Sequence, residues 1–237
     1  VPADRVVLPE LLDELDPNDP RAKRSRRDLQ RVHRAMGSLS ILRDAVIRLR
    51  LRVPPKRILE LGAGDATLLL RLARAQPDWH GTELMVLDRQ DLISQDTRDR
   101  FAGQGWTLTV LRADAIEWAH GDSLQHFDLC VTSLFLHHFD ARPLTALTEA
   151  IASRCDAFVA CEPRRSVFAR LGSRLIGFLG ANAVTRNDAV KSVAAGFTHQ
   201  ELTATWPNSD ADWWCHEYAA PPFTHCFAAA RKSVRRA

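Results

Sequence analysis

The sequence lacks any apolar run long enough to cross a membrane. A spanning helix needs roughly 20 residues, and every candidate stretch here is interrupted by Arg, Asp or His. It also lacks a paired-cysteine signature. Cys130, Cys155, Cys161, Cys215 and Cys226 are odd in number and form no CxxC, which argues against a disulfide framework or a zinc site and for reduced thiols. The first residues, Val1-Pro2-Ala3-Asp4-Arg5, have neither the basic segment nor the apolar core of a secretory signal, so a cytoplasmic location is expected. There is no internal repeat and no low-complexity tract. What remains is a globular composition: 237 residues, 46% hydrophobic and 26% charged, excluding a disordered or fibrous chain. The length suits one large domain, or a core with a small cap.

The net charge of +3 conceals a sharp asymmetry. Residues 1–20 hold six acids and one base, whereas residues 21–57 hold thirteen bases and two acids. Such a basic stretch suits nucleic acid, an acidic membrane surface, an anionic substrate or a plain solvated helix face. Leu29, Val32, Met36, Leu39, Leu42, Val46 and Leu49 recur at spacings of three and four within it. That spacing predicts one long helix, or two broken near Gly37-Ser38, with an arginine face opposite.

After Pro54-Pro55 the pattern changes to short apolar runs alternating with helical stretches. Strands are expected at 57–61, 84–88, 108–114, 127–132 and 157–162, with 202–206 and 224–229 as the last pair. Helices are expected at 66–76 and 142–153. This alternation requires a mostly parallel seven-stranded α/β sheet with helices on both faces.

The most informative residues are Ile58-Leu59-Glu60-Leu61-Gly62-Ala63-Gly64-Asp65-Ala66-Thr67, a strand, a glycine turn and a helix start. Gly62 and Gly64 permit a close ligand approach that a Cβ would block. Asp88, at the end of the next strand, suits the two hydroxyls of a ribose. A dinucleotide site would want a third glycine where Thr67 stands. Glu60 and Asp65 would repel a diphosphate, yet they suit a cationic amine and sulfonium. This favours S-adenosylmethionine over a nicotinamide dinucleotide; an ordinary tight turn without a ligand is the plain alternative.

Glu60-x-Gly62-x-Gly64, Asp88, Ala113-Asp114-Ala115 and Leu136-His137-His138-Phe139 resemble the ordered motifs of class I S-adenosylmethionine-dependent methyltransferases, from about Arg57 to Arg231. The chain is most similar to quinone-biosynthesis-type small-molecule enzymes and to those encoded beside bacterial type III polyketide synthases. The resemblance implies a Rossmann-like core at 56–237, preceded by an N-terminal helical cap at 1–55. The apolar, glycine-rich insertion near 164–187 reads as a lid over the acceptor or as a plain packing helix. It implies Glu60, Gly62 and Gly64 at the methionine end of the cofactor, Asp88 on its ribose, and Asp114 with Ala115 at its adenine. Thr132, closing strand four, is expected among the cofactor-binding residues. Asp114 also reads as a helix N-cap.

Methyl transfer is an in-line displacement, so the protein must position an acceptor, exclude water and, where needed, take a proton. His137 and His138 are the candidate bases; either could instead cap a helix or pack beneath the loop. Glu162, after strand five, could orient the acceptor or pair with Arg164 or Arg165. Trp206, Trp213, Trp214 and Tyr218 read as core packing or as a wall for a flat acceptor. No metal ligand set is expected. The expected reaction is methylation of a small hydrophobic acceptor, at a hydroxyl of a phenolic lipid, pyrone or quinone precursor, by a monomer or homodimer, with peripheral membrane contact open. The alternatives are an RNA methyltransferase using the basic helix and a non-catalytic cofactor-binding partner. RNA is disfavoured because Thr132-Ser133-Leu134-Phe135 replaces the Asn/Asp-Pro-Pro-aromatic run of base-amine enzymes.

Overall fold

A computed structural model describes residues 4–122, 124–207 and 211–236. Three helices come first: α1 (Leu11–Glu14), α2 (Pro20–Ala35) and α3 (Ser38–Arg48). Asp19 caps α2 by accepting from the Arg21 amide at 2.7 Å, with Pro20 in the first turn, a pairing that suits a helix start. Gly37, at φ +68°, ends the first arginine-rich helix and starts the next, so the stretch folds as two helices rather than one.

The sheet contains β1 (Arg57–Leu61), β2 (Glu83–Asp88), β3 (Thr107–Arg112), β4 (Leu129–Ser133), β5 (Ala157–Pro163), β6 (Trp213–Ala220) and β7 (Thr224–Arg231). Their order is β3-β2-β1-β4-β5-β7-β6. The first five run parallel, and β7 lies antiparallel between β5 and β6. The connecting helices are α4 (Thr67–Ala75), α5 (Gln95–Gly103), α6 (Ala115–His120), α7 (Ala141–Arg154), α8 (Val167–Leu175) and α9 (Ala183–Ala195). This is the expected seven-stranded, mostly parallel α/β sheet with helices on both faces.

Alternation along each buried strand supplies two cores. Ile58, Val131 and Val159 pack with Leu42, Val46 and Leu69 on one face. Leu59, Cys130 and Phe158 pack with Leu147, Ile151 and Phe227 on the other. α3 packs on α4, β5 and β7, so it forms part of the layer against the sheet. From β1 the chain winds to β2 and β3 on one side and to β4 and β5 on the other. A crevice therefore opens at the C-terminal ends of β1 and β4, the usual ligand position in such sheets.

One expected strand is corrected. Residues 202–206 are not a sheet strand: a single 3₁₀ turn, Thr203–Thr205, occupies this stretch, and β6 begins at Trp213. The amides of Leu202 and Thr203 donate to the Glu217 carboxylate at 3.1 and 2.7 Å instead of to a neighbouring strand. Trp206 stacks on Phe158 with ring centres 5.4 Å apart, and Trp213 meets Trp206 edge-on. These rings belong to the core. Phe158→Ala should accordingly lower unfolding free energy by about 3–5 kcal/mol in urea denaturation; a loss within the error of the measurement would remove the stack from the core.

Candidate active site

At the mouth of the crevice lies a cavity of about 970 Å³. Its floor is the glycine turn. The Gly62 amide donates to the Leu87 carbonyl at 2.9 Å, and the Gly64 amide donates to Asp88 Oδ2 at 3.0 Å. Asp88 Oδ1 accepts from the Gln90 amide at 3.0 Å. The Asp88 carboxylate thus ties the turn to the end of β2 and retains lone pairs for hydroxyl donors. Gly62 has φ +67°, and a Cβ there would stand 2.1 Å from the Phe135 ring, so no other residue fits. Ala66 and Leu134, on either side of the crevice, also hold positive φ, local strain of a kind that gathers at ligand sites.

Glu60, Gly62, Gly64, Asp88, Asp114 and Ala115 all line this cavity. Glu60 is buried, and its Oε2 has no hydrogen-bond partner. Burial, and then the charges of Asp65 and Asp88, push its pKa well above the ordinary carboxylate value. An unpartnered buried carboxylate oxygen beside two more acids suits a cationic group and disfavours a diphosphate. Asp114 accepts from the Ile116 amide at 2.7 Å, capping α6, and faces the same cavity. Thr132 is the exception. It is fully buried with an unpartnered Oγ1 and does not reach the wall.

Across the cavity stand His137 and His138. Glu162 holds their turn from beneath. Its Oε1 accepts from the amides of Phe135 and Leu136 at 3.0 and 2.9 Å, and its Oε2 from the His137 amide at 3.3 Å. The same Oε2 meets His137 Nδ1 at 2.8 Å. Fully buried and absent from the wall, Glu162 positions the turn rather than the acceptor. Arg165 pairs with Glu201 at 2.6 Å.

The two imidazoles titrate in opposite directions. Burial alone would lower the His137 pKa, but the hydrogen bonds and charges of Glu10 and Glu162 outweigh it and raise the value to about 9. Burial, then the charge of His137, lowers that of His138. His137 Nε2 faces Glu10 Oε1 at 3.4 Å, and His138 Nδ1 faces Asp13 Oδ2 at 3.3 Å. Near neutrality His137 is the charged member and His138 the neutral one, able to accept a proton. Donor atoms of Glu10, His137 and His138 lie within 4.8 Å of one another, a grouping that could also hold a metal ion.

Glu10 and Asp13 were not legible as site residues. The leader reads only as acidic. Asp19 does pair with Arg21, whereas Glu10 and Asp13 turn to the histidines. Arg5 latches the leader by donating to the carbonyls of Ala195 and Phe139, each at 2.7 Å. Asp188 accepts from the Leu11 and Leu12 amides at 2.8 and 3.0 Å. Over the glycine turn, Gln30 of α2 donates to Asp65. The cover is therefore the leader and α2. No residue of the expected lid, 164–187, lines the cavity, nor does Trp206, Trp213, Trp214 or Tyr218.

Residues 58–156 match a family described as a methyltransferase domain. No curated protein matches the chain. Among solved structures, the plantazolicin methyltransferase BpumL in complex with SAH superposes with a TM-score of 0.64 at 12% identity, over 91% of this chain and 92% of its own. An O-methyltransferase family protein from Burkholderia thailandensis gives 0.57 at 15%, over 90% and 60%. Magnesium protoporphyrin IX methyltransferase from Synechocystis PCC 6803 with bound SAH gives 0.51 at 13%, over 93% and 91%. At these identities the likeness establishes the fold, and the family match gives residues 58–156 the pattern of a methyltransferase domain. Both accord with the S-adenosylmethionine-dependent methyltransferase expected from the sequence.

Glu60 provides a test of the site's electrostatics. Its folded pKa lies above its unfolded one, so its favourable contribution is complete below about pH 4.5 and disappears as pH rises through the raised value. Glu60→Gln should therefore raise the thermal midpoint of the ligand-free protein at pH 8 by about 2 °C or more and make little difference at pH 4.5. Scanning calorimetry giving equal midpoints at both pH values would contradict this.

Proposed function

We propose that the protein methylates a small hydrophobic acceptor at a hydroxyl group, with the cofactor over the glycine turn and the acceptor between it and His138. The observation that carries this reading is one cavity lined by Glu60, Asp88 and Asp114 and by two histidines, each facing a carboxylate of the leader. Glu60, with Gly62 and Gly64, would hold the methionine end of the cofactor, Asp88 its ribose, and Asp114 with Ala115 its adenine. The unpartnered Glu60 oxygen and the open space over Gly64 fit such a cationic nucleoside. Bound there, the cofactor supplies an electrophilic methyl group.

The remaining work falls to the chain. Val7, Leu8, Leu12, Leu29, Phe135 and Phe139 give the cavity apolar wall, which excludes water and favours a flat or lipid-like acceptor. His138, neutral and oriented by Asp13, takes the hydroxyl proton as the methyl arrives. Charged His137 is bracketed by Glu10 and Glu162 and fixes its neighbour's place. Among hydrophobic acceptors we favour phenolic lipids, pyrones or quinone precursors, in line with the sequence's resemblance to quinone-biosynthesis-type enzymes and those beside type III polyketide synthases. Natural-product enzymes and O-methyltransferases among the structural neighbours accord with this.

Labelled S-adenosylmethionine offered with alkylresorcinols, alkylpyrones, hydroquinones and bulk RNA should mark a phenolic product; label confined to RNA would refute the reading. Asp88→Ala should weaken calorimetric cofactor affinity by about 1–3 kcal/mol through unpaired ribose hydroxyls, and unchanged affinity would remove Asp88 from the ribose. His138→Ala should lower kcat about 10²–10⁴-fold with cofactor affinity preserved. Full turnover in that variant would exclude His138 as the base.

A further inference from the structure

The helix α8 is built the wrong way round for a helix on a globular surface. Such a helix normally turns its apolar stripe inward. Here Ala169 and Ser173 form the buried side, while Val167, Phe168, Leu171 and Leu175 stand outward, the first two 80% and 78% exposed. At 3.6 residues per turn the centre of that apolar stripe lies about 170° from the buried side. The 3₁₀ turn that follows, Ile176–Leu179, continues it with Phe178, 89% exposed, and Leu179. Exposed contiguous apolar surface of this kind marks an interaction site.

Charge complementarity selects the partner. Between Pro163 and Asn187 the sequence has five arginines and no acid. Arg170 and Arg174 are exposed on α8 itself, along one edge of the apolar stripe. The end of the apolar turn meets α2, where a Cβ on Gly180 would lie 3.5 Å from Arg31 Nη1. α2 carries seven bases against the single acid Asp28, with Arg24, Arg27, Arg31 and Arg34 exposed. Apolar side chains ringed by arginine, with no carboxylate among them, match the acyl and headgroup layers of an anionic bilayer. We infer that the protein docks peripherally on anionic lipid membranes, inserting Phe168, Leu171 and Phe178 and resting the arginines of α2 and α8 on the headgroups.

Co-sedimentation of the full chain with vesicles tests this. Vesicles of equimolar phosphatidylcholine and phosphatidylglycerol should bind it at least about tenfold more tightly than phosphatidylcholine alone, and salt should weaken that binding. The double variant Phe168→Ser/Phe178→Ser should lose about tenfold or more, and Arg24→Ala/Arg27→Ala about fivefold per arginine. Circular dichroism and cofactor affinity should stay unchanged in both. Equal binding to the two vesicle types, or none, would overturn the inference, as would variants that sediment like the parent. So would a dimer that the phenylalanine changes dissociate without any vesicle binding, or bulk RNA binding that survives those changes while vesicles are ignored.

Discussion

Glu162 ends β5 beyond the reach of solvent, and a carboxylate so placed must find every partner within the protein. It accepts three consecutive amides of the turn after β4 and the Nδ1 side of His137. The geometry of the far wall of the cavity depends on that bond set. Three amides aimed at one carboxylate fix the backbone of residues 135–137, and with it the Phe135 ring over Gly62 and both imidazoles. The ring bond fixes which histidine bears charge: an imidazole between two carboxylates stays protonated, and its charge in turn keeps the next imidazole neutral. A group that touches no wall of the cavity thus divides the roles of two that do.

The parallel half of the sheet was legible because its strands are continuous apolar runs, as burial on both faces demands, and because Gly62 and Gly64 can serve only a turn of unusual backbone. At the antiparallel edge β7 was legible but β6 was not. Leu202-Thr203-Ala204-Thr205-Trp206 alternates like a strand, whereas β6 contains His216 and Glu217 in its middle. Glu217 is buried because it pairs with His225 at 2.7 Å on the adjoining strand and takes the amides of residues 202 and 203. Hydrophobic patterning cannot find a strand whose interior position holds a buried carboxylate bonded to an imidazole. The amides that pair removes from the ladder are those of the segment that had looked like the strand.

The same reasoning separates the two halves of the candidate site. Its cofactor side lies within one βαβ unit, where spacing along the chain is spacing in the fold, so Glu60, Gly62, Gly64 and Asp88 could be placed by counting. Its acceptor side joins Glu10 and Asp13 to histidines well over a hundred residues away. Nothing local in the leader distinguishes an acid that will meet a histidine from one that will cap a helix, as Asp19 does. Thr132 shows the converse. Its position at the end of β4 suggested the cofactor, but strand alternation turns its side chain under the sheet surface.

The N-terminal region takes its meaning from this division. Glu10 and Asp13 turn to the histidines and Asp19 caps α2, while most arginines of α2 remain exposed. Arginines and carboxylates both line the cavity, and the unpartnered carboxylate among them is Glu60, between Asp65 and Asp88. That oxygen favours a cationic nucleoside, whereas the exposed arginines of α2 favour an anionic surface. Because Arg5 and Asp188 fasten the leader to the histidine turn and to α9, and α9 packs on α8, outer face and cavity are joined through one continuous set of packed elements. Contact at the outer face then bears on the segment that covers the acceptor.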